Sequence, residues 1–566
     1  MLNRIRQRLD FIYGDKMTAD IYDKYLAVFE KYKRNTKPKA LWNEKDAFLI
    51  TYGDSLLREG QKPLNTLYDF VKEKLSQAIS IVHILPFFPY SSDDGFSVID
   101  FNKVNPELGD WEDVQKISSE FQMMADLVVN HISAKSDWVQ QFKKSEAPGK
   151  DYILTVDDDF DYSQVVRPRS SPLLTPFTTP EGVKNVWTTF SDDQIDLNYG
   201  NPELTLAMLD ILLSYVDKGI SVIRLDAIAF LWKRSGTSCL HEPETHEVVK
   251  LMRDILDYCV PGTILLTETN VPHEENISYF GNGDEAHMVY QFALPPLLLH
   301  ALHTGNATFL TQWASSLGNL GEAMTYFNFT ASHDGIGVRP LEGLLPEDEK
   351  SALFDKMKDF GGRINTRRTV DGQDVPYELN ITYYDALKGT KDGKDQWQVP
   401  RFISSQIIMM TLQGIPAIYI HSLLGTHNYQ EGVAETGQNR TINRRKWDYD
   451  EISNLLADNE SDHAQVFEIL TGILKIRREQ KAFHPDASQE IYDINSNIFV
   501  VYRADEESGE AILSASNMTN KTLSLNFDGF DGMYQDLILN EAVEMSSLEL
   551  EPYQTVWLKE NRGFCV

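Results

Sequence analysis

The chain has 566 residues, 42% of them apolar and 11% aromatic, the composition of an ordinary globular protein long enough for three or four domains or one elaborated barrel. Lys and Arg number 53 against 84 Asp and Glu, a formal charge of −31, which argues against nucleic acid or an anionic membrane as a partner and says nothing of the fold. The three cysteines, Cys239, Cys259 and Cys565, are odd in number and lack metal-like spacing, so neither a disulfide framework nor a zinc site is expected.

Met1-Leu2-Asn3-Arg4-Ile5-Arg6 carries charge where a signal peptide needs an apolar run, and no apolar segment reaches membrane-spanning length; a cytoplasmic enzyme is the expectation. Residues 1–40 read as charged amphipathic helix packed against the main domain. Short apolar strands then alternate with helices: 47–52, 81–85, 123–129, 222–226, 264–268, 288–292, 324–329 and 417–420, with helices such as 203–216, 245–258 and 402–412 between them. Eight alternations with near-continuous apolar strands predict an α/β fold, a closed parallel (β/α)8 TIM barrel. The rival, an open doubly wound sheet, lacks its Gly-rich dinucleotide loop after the first strand.

Two gaps break the rhythm. Residues 137–200 are rich in Asp, Pro and Thr, with strand-like pieces at 152–156 and 185–190; residues 335–400 read as holding little regular helix. Insertions of that size after barrel strands sit at the C-terminal rim, where active sites are built. After about residue 486 the period changes to two, with strands at 499–503, 511–515, 523–527 and 556–559. The expected organisation is a barrel in three parts (1–136, 201–334, 401–486), insertions at 137–200 and 335–400, and a C-terminal β-sheet domain at 487–566.

Polar residues cluster where the strands end. The third runs from Asp126 to Asn130 and His131, the fourth ends Arg224-Leu225-Asp226, the fifth runs into Glu268-Thr269-Asn270, and the seventh leads to His333-Asp334-Gly335. Alternate side chains of a strand share a face, so Arg224 and Asp226 point together. A guanidinium there lowers the carboxyl's pKa and keeps it ionised, as a nucleophilic aspartate needs; taken alone, the pair reads equally well as a structural ion pair. Glu268 has apolar neighbours (Ile264, Leu265 and Leu266) and no adjacent cation, so burial should raise its pKa towards an acid role. Two opposed carboxyls are what glycosidic cleavage with retention requires. Asp334 would stabilise oxocarbenium-like charge, and His131 and His333 would hydrogen-bond sugar hydroxyls.

These residues resemble the four signature regions of the α-amylase superfamily (glycoside hydrolase family 13). The resemblance implies a TIM barrel with inserted B and B′ subdomains and a C-terminal antiparallel β domain. It implies Asp226 as nucleophile, Glu268 as acid/base and Asp334 as transition-state stabiliser. A finer resemblance, to the sucrose phosphorylase branch, rests on Leu85-Pro86-Phe87-Phe88, Asp93-Asp94-Gly95-Phe96, Arg167-Pro168-Arg169, His333-Asp334-Gly335-Ile336-Gly337, the run from Phe292 to His300, and Tyr377-Glu378-Leu379-Asn380 with Tyr383-Tyr384. By that likeness Asp93 and Arg440 would grip the glucosyl 4-hydroxyl, and Phe96 and Phe190 would wall the pocket. Gln194 would line the acceptor side, Arg224 would belong to the substrate site, and Arg169 and Tyr377 would meet the incoming phosphate.

The chain departs from sucrose phosphorylases where Glu378 replaces a glutamine, Val166 an aromatic and Phe230 a tyrosine, all bordering the acceptor. With Arg167 to Phe177 and Trp187 to Gln194, these variants look most like glucosylglycerate phosphorylases. An acceptor with a carboxylate makes rim cations its partners: Arg169, or Arg363, Arg367 and Arg368. The implied enzyme is a retaining glycoside phosphorylase, moving glucose from an α-glucoside to phosphate through a β-glucosyl-aspartate. The glucoside is 2-O-α-glucosylglycerate first, with sucrose, sucrose 6′-phosphate and glucosylglycerol as alternatives; a hydrolase and a non-catalytic carbohydrate-binding relative are the further ones. Inorganic phosphate is then a cosubstrate, with no cofactor and no metal expected, since the acidic run from Asp157 to Asp161 lacks an EF-hand's glycine and distal glutamate. Partners would be small molecules, with a homodimer left open. The run from Leu294 to Leu302 reads as core or interface, and Tyr383 and Tyr384 as sugar platforms or packing.

Overall fold

The computed structural model describes residues 1–34, 40–318, 320–369, 372–525 and 530–560. Eight strands form a closed barrel: β1 (Phe48–Thr51), β2 (Ile81–Ile84), β3 (Gln122–Val128), β4 (Val222–Asp226), β5 (Ile264–Thr267), β6 (Met288–Tyr290), β7 (Thr325–Phe329) and β8 (Ile415–Tyr419). Each pairs in parallel with its neighbours, and β1 closes on β8 through Phe48 opposite Ala417. Apart from Gln122 every barrel-strand residue is buried, because helices cover one face and the packed lumen the other. These are the eight predicted strands, with shifted ends.

The outer helices start on recognisable signals. Pro202–Asp217 begins with proline in its first turn, and the Asn201 side chain accepts from the Glu203 amide at 2.9 Å. Gly219, at φ 101°, then reverses the chain into β4, a conformation that costs any other residue strain. At the N-terminus two helices form in place of one, Leu2–Tyr13 and Ala19–Tyr32, broken at Gly14. The first is clamped by Arg8, which bonds Asp254 (2.6 Å) and Glu247 (2.8 Å) of the helix Pro243–Cys259.

The first insertion leaves β3 through His131–Ser133, which pairs antiparallel with Gln194–Asp196, and contains the hairpin Leu174–Thr179/Gly182–Trp187. The strand expected at 152–156 does not form: Gly149–Tyr152 is helical, and Ile153 and Thr155 make only isolated bridges. The second insertion holds a three-stranded sheet, Ile336–Gly337, Asp374–Asn380 and Arg363–Arg368 in that order. It also holds the helix Glu347–Asp359, against the expectation of little regular helix. That helix hides from a periodicity search because only Lys350, Leu353 and Met357 are buried. Its capping is electrostatic, with Glu347, Asp348 and Glu349 in the first turn and Lys356 and Lys358 in the last.

The C-terminal part is a six-stranded antiparallel sheet, ordered Ser488–Asn495, Ile498–Asp505, Glu510–Asn517, Thr555–Glu560, Met533–Asp536, Glu541–Glu544. It is pinned to the barrel by Trp557, whose indole donates to Thr411 Oγ1 at 2.8 Å. Of the strand expected at 523–527, Leu523–Ser524 forms, and Phe527 lies outside the described residues, as does Cys565. Cys239 and Cys259 are free and buried. Leu294–Thr304 is core. Tyr383 and Tyr384 both pack: the first donates to the Pro295 carbonyl (2.9 Å), the second to Asp462 (2.7 Å). Among the described residues no helix is long and apolar enough to cross a membrane.

Candidate active site

A cavity at the C-terminal end of the barrel is lined by Asp93, Phe96, His131, Arg169, Phe190, Gln194, Asp226, Glu268, His333, Asp334, Tyr377, Glu378 and Arg440. Thirteen of the fourteen candidate residues are thus brought together. The exception is Arg224, which lies beneath the floor and is 2% exposed. Its Nη1 donates to Asp126 and to Asp226 Oδ1 (2.9 Å), and its Nε to the Tyr290 hydroxyl (3.0 Å). It orients the carboxylates of the floor from below.

The floor is one buried charge relay. His83 Nε2 meets Asp126 Oδ2 at 2.7 Å, Asp126 pairs with Arg224, and Arg224 reaches Asp226 and, at 3.9 Å, Glu268 Oε2. Ala227, in the left-handed region at φ 51°, turns its amide to donate to Glu268 Oε2 at 3.1 Å; a non-glycine residue held there stores strain at the point where the two carboxyls meet.

Burial pushes the Asp226 carboxyl well above the usual carboxylate range; Arg224 opposes this, and repulsion from Glu268, Asp126 and Asp334 adds to it. This overturns the expectation that Arg224 holds Asp226 below that range. Burial is the larger effect and outweighs Arg224, whose closest contact goes to Asp126, a neighbour across β3 and β4. Glu268 is raised as expected, by burial first, although the expected absence of a nearby cation is wrong: Arg224 opposes the rise. Burial also works against ionising Asp334, but Arg440, Arg444 and Arg224 outweigh it and hold that carboxyl below its ordinary range. The chemical consequence is a couple that shares protons beside a third carboxylate that stays ionised.

Around this floor, the His333 ring stacks on Phe96 with centroids 4.7 Å apart and planes at 6°. Gln194 Nε2 donates to Asp93 Oδ2 at 3.3 Å, and His131 Nε2 lies 2.9 Å from the Phe96 carbonyl. Asp93 and Asp94 are consecutive left-handed residues ahead of Gly95, where a Cβ would stand 2.7 Å from the Pro86 carbonyl oxygen. Arg440 makes no ion pair with Asp93. It binds Asp334 Oδ1 at 2.7 Å and Glu378 through two bonds of 2.9 Å, and both it and Asp93 line the cavity. Glu378, also bonded by Asn365 at 2.7 Å, has its carboxylate committed inside the protein.

At the mouth, Arg169 lies over the rings of Phe190 (5.7 Å) and Tyr377 (5.3 Å), and among the described residues no carboxylate is within ion-pair distance of it. Arg367 lines the cavity but pairs with Glu342 at 3.2 Å, while Arg368 pairs with Asp374 at 3.0 Å. Val166 and Phe230 line the cavity as well.

The α-amylase catalytic-domain family matches residues 69–335. The glucosylglycerate phosphorylase of Spirochaeta thermophila is 46% identical over 527 residues, 92% of this chain and 89% of that protein. That of Escherichia coli is 43% identical over 563 residues, 99% and 100% of the two chains. The chain belongs to the glucosylglycerate phosphorylase family. A more distant likeness within the same fold is the crystal structure of sucrose 6F-phosphate phosphorylase from Thermoanaerobacter thermosaccharolyticum, with TM-score 0.72 and 27% identity over 84% of this chain and 94% of that one.

Four contributors to this family member's site were passed over in the sequence. Tyr290 holds Arg224. Asn443 donates to the carbonyls of Ser332 and Asp334, both at 3.0 Å, and so shapes the loop that carries Asp334. Arg444 bonds the His333 carbonyl (2.8 Å) and Asp94 (2.6 Å). Arg339 lines the cavity.

Proposed function

We propose that the chain is a retaining glucosylglycerate phosphorylase. It moves glucose from 2-O-α-glucosylglycerate to inorganic phosphate, reversibly, giving α-glucose 1-phosphate and glycerate. Asp226 Oδ attacks C1 while Glu268 gives its proton to the glycosidic oxygen, and the C1–O bond breaks to release glycerate with its hydroxyl restored. Glu268, now ionised, takes a proton from dihydrogen phosphate as a phosphate oxygen attacks C1 and the Asp226 carboxylate departs. Arg224 stands a full ångström nearer Asp226 than Glu268 (2.9 against 3.9 Å), which favours the couple's shared proton on Glu268.

Asp334 supplies the fixed negative charge that an oxocarbenium-like state calls for. Asp93, Phe96, His131, Phe190, Gln194 and His333 would hold the glucosyl ring, Arg440 would hold Asp334 and Glu378 in place, and Arg169 and Tyr377 would receive the phosphate. The reading needs no cofactor, because both the covalent and the proton-transfer steps fall to the carboxyl couple.

The observation that carries it is an unpaired guanidinium, Arg169, on the same cavity as two carboxyls that share a buried cation: hydrolysis needs only the couple, phosphorolysis needs both. The test is a parallel assay of phosphate with 2-O-α-glucosylglycerate, glucosylglycerol, sucrose and sucrose 6′-phosphate. Glucose 1-phosphate should form fastest from the first. Faster turnover of another glucoside refutes the acceptor, and free glucose released without phosphate refutes phosphorolysis.

A further inference from the structure

The cavity mouth carries more cationic charge than one phosphate requires, since Arg167, Arg169, Arg339 and Arg367 all line it. They are held differently. Arg169 has only its own neighbour's carbonyl, Pro168, at 3.3 Å, and Arg367 is satisfied by Glu342. Arg339 combines a fixed position with an incompletely paired guanidinium on a side chain that stays 15% exposed. Its backbone follows the edge strand Ile336–Gly337, and the Val338 amide donates to the Tyr377 carbonyl at 3.0 Å. Pro340 comes next and stiffens the turn. One side of the guanidinium rests 3.5 Å from Glu275 Oε2, an oxygen that already meets His241 at 3.1 Å. Its Nε is buried with no hydrogen-bond partner among the described residues, and so is Oδ1 of the neighbouring cavity residue Asn270.

A buried donor left unpaired costs free energy until a ligand brings an acceptor, and a planar, prepositioned guanidinium edge matches a carboxylate. We propose that Arg339 binds the carboxylate of the glycerate acceptor, in a subsite separate from the phosphate cation Arg169. This rests on the function proposed above and deepens it. The leaving acid is met by a side chain tied to the Tyr377 strand; the phosphate that replaces it is met by one without a carboxylate tether. Glycerol, with a hydroxymethyl in place of the carboxylate, cannot supply the anionic acceptor, so Arg339 discriminates between the two.

The experiment uses the full-length protein as wild type, Arg339→Leu and Arg339→Lys. Glycerate glucosylation from glucose 1-phosphate is measured beside arsenolysis of glucose 1-phosphate, which needs the glucosyl and phosphate subsites but no glycerate. In Arg339→Leu, kcat/KM for glycerate should fall about 10- to 100-fold, as expected for loss of a charge-assisted hydrogen bond. Arsenolysis should stay within about twofold, which also reports an intact fold. The preference for glycerate over glycerol should shrink by the same factor, and Arg339→Lys should recover part of the loss. A parallel fall in arsenolysis overturns the proposal by assigning Arg339 to phosphate or to structure, and an unchanged kcat/KM for glycerate overturns it outright. If wild-type enzyme refuses glycerate altogether, the function proposed above fails first; if wild type accepts it and Arg339→Leu accepts it equally well, only the Arg339 subsite fails.

Discussion

The floor of the cavity and its rim follow opposite rules. On the floor every charge is answered: Asp126 by His83 and Arg224, Asp226 by Arg224, Asp334 by Arg440, Glu378 by Arg440 and Asn365. On the rim Arg167 and Arg169 face the cavity without a carboxylate partner among the described residues, and Arg339 keeps a buried donor open. Asp126 and Asp226 stand on barrel strands, whose backbone is locked by pairing on both sides, whereas Asp334 follows β7 in a loop and Glu378 comes from the sheet of the second insertion. The rim stands on the two insertions and on loops beyond the strands. The difference teaches where each half of a substrate is read. On the function proposed above, a glucosyl ring common to many glucosides would meet groups already paired, whereas the exchanged acceptors would meet cations with donors to spare.

The comparison breaks most sharply at Asp226. Asp226→Asn should lower glucose 1-phosphate release by on the order of 10⁴-fold or more without lowering the unfolding temperature, and turnover near wild type would remove the floor's claim to chemistry. Next comes a matched pair. Arg224→Leu leaves Asp126 and Asp226 buried without their cation and should cost about 3–5 kcal/mol in urea unfolding. Arg169→Leu should cost under about 0.5 kcal/mol yet reduce kcat/KM for phosphate about 10- to 100-fold. Equal stability losses in the two would erase the distinction between floor and rim.

A pH series sharpens it further. Burial raises the folded-state pKa of Glu268 above its unfolded value, so the stability contributed by this group is present below the ordinary carboxylate range and is lost as pH rises through the folded pKa. Glu268→Gln escapes that loss. Its unfolding free energy should match wild type near pH 4 and exceed it by on the order of 1 kcal/mol at pH 8, measured by chemical denaturation across the range. A variant that becomes less stable than wild type as pH rises would reverse the assigned shift. The smallest kinetic effect belongs to Tyr384→Phe, which loses the bond to Asp462 at about 1–2 kcal/mol and should leave every kcat and KM unchanged. An altered KM for the glucoside would put that ring on the substrate after all.

The barrel was legible from residue order because parallel strands buried on both faces must be apolar almost throughout, and few other arrangements tolerate eight such runs. The carboxyls were legible because polar residues at the ends of those runs can face only the cavity: Asp226, Glu268 and Asp334 all line it. The helix Glu347–Asp359 was not, since its stability comes from charges placed along its dipole and leaves no apolar stripe to detect.

Tertiary structure alone decided how the charges are shared. Arg224 stands two positions from Asp226, yet its closest contact is with Asp126, 98 residues away, and burial of Asp226 outweighs the guanidinium beside it. Arg440 reaches Glu378 across 62 residues, and Arg339 lines the cavity beside a backbone bond from Val338 to the Tyr377 strand. Residue order determines which groups are available and on which face of a strand they stand. Electrostatic energy depends on separation and burial, and both are set only when distant segments close around the same cavity.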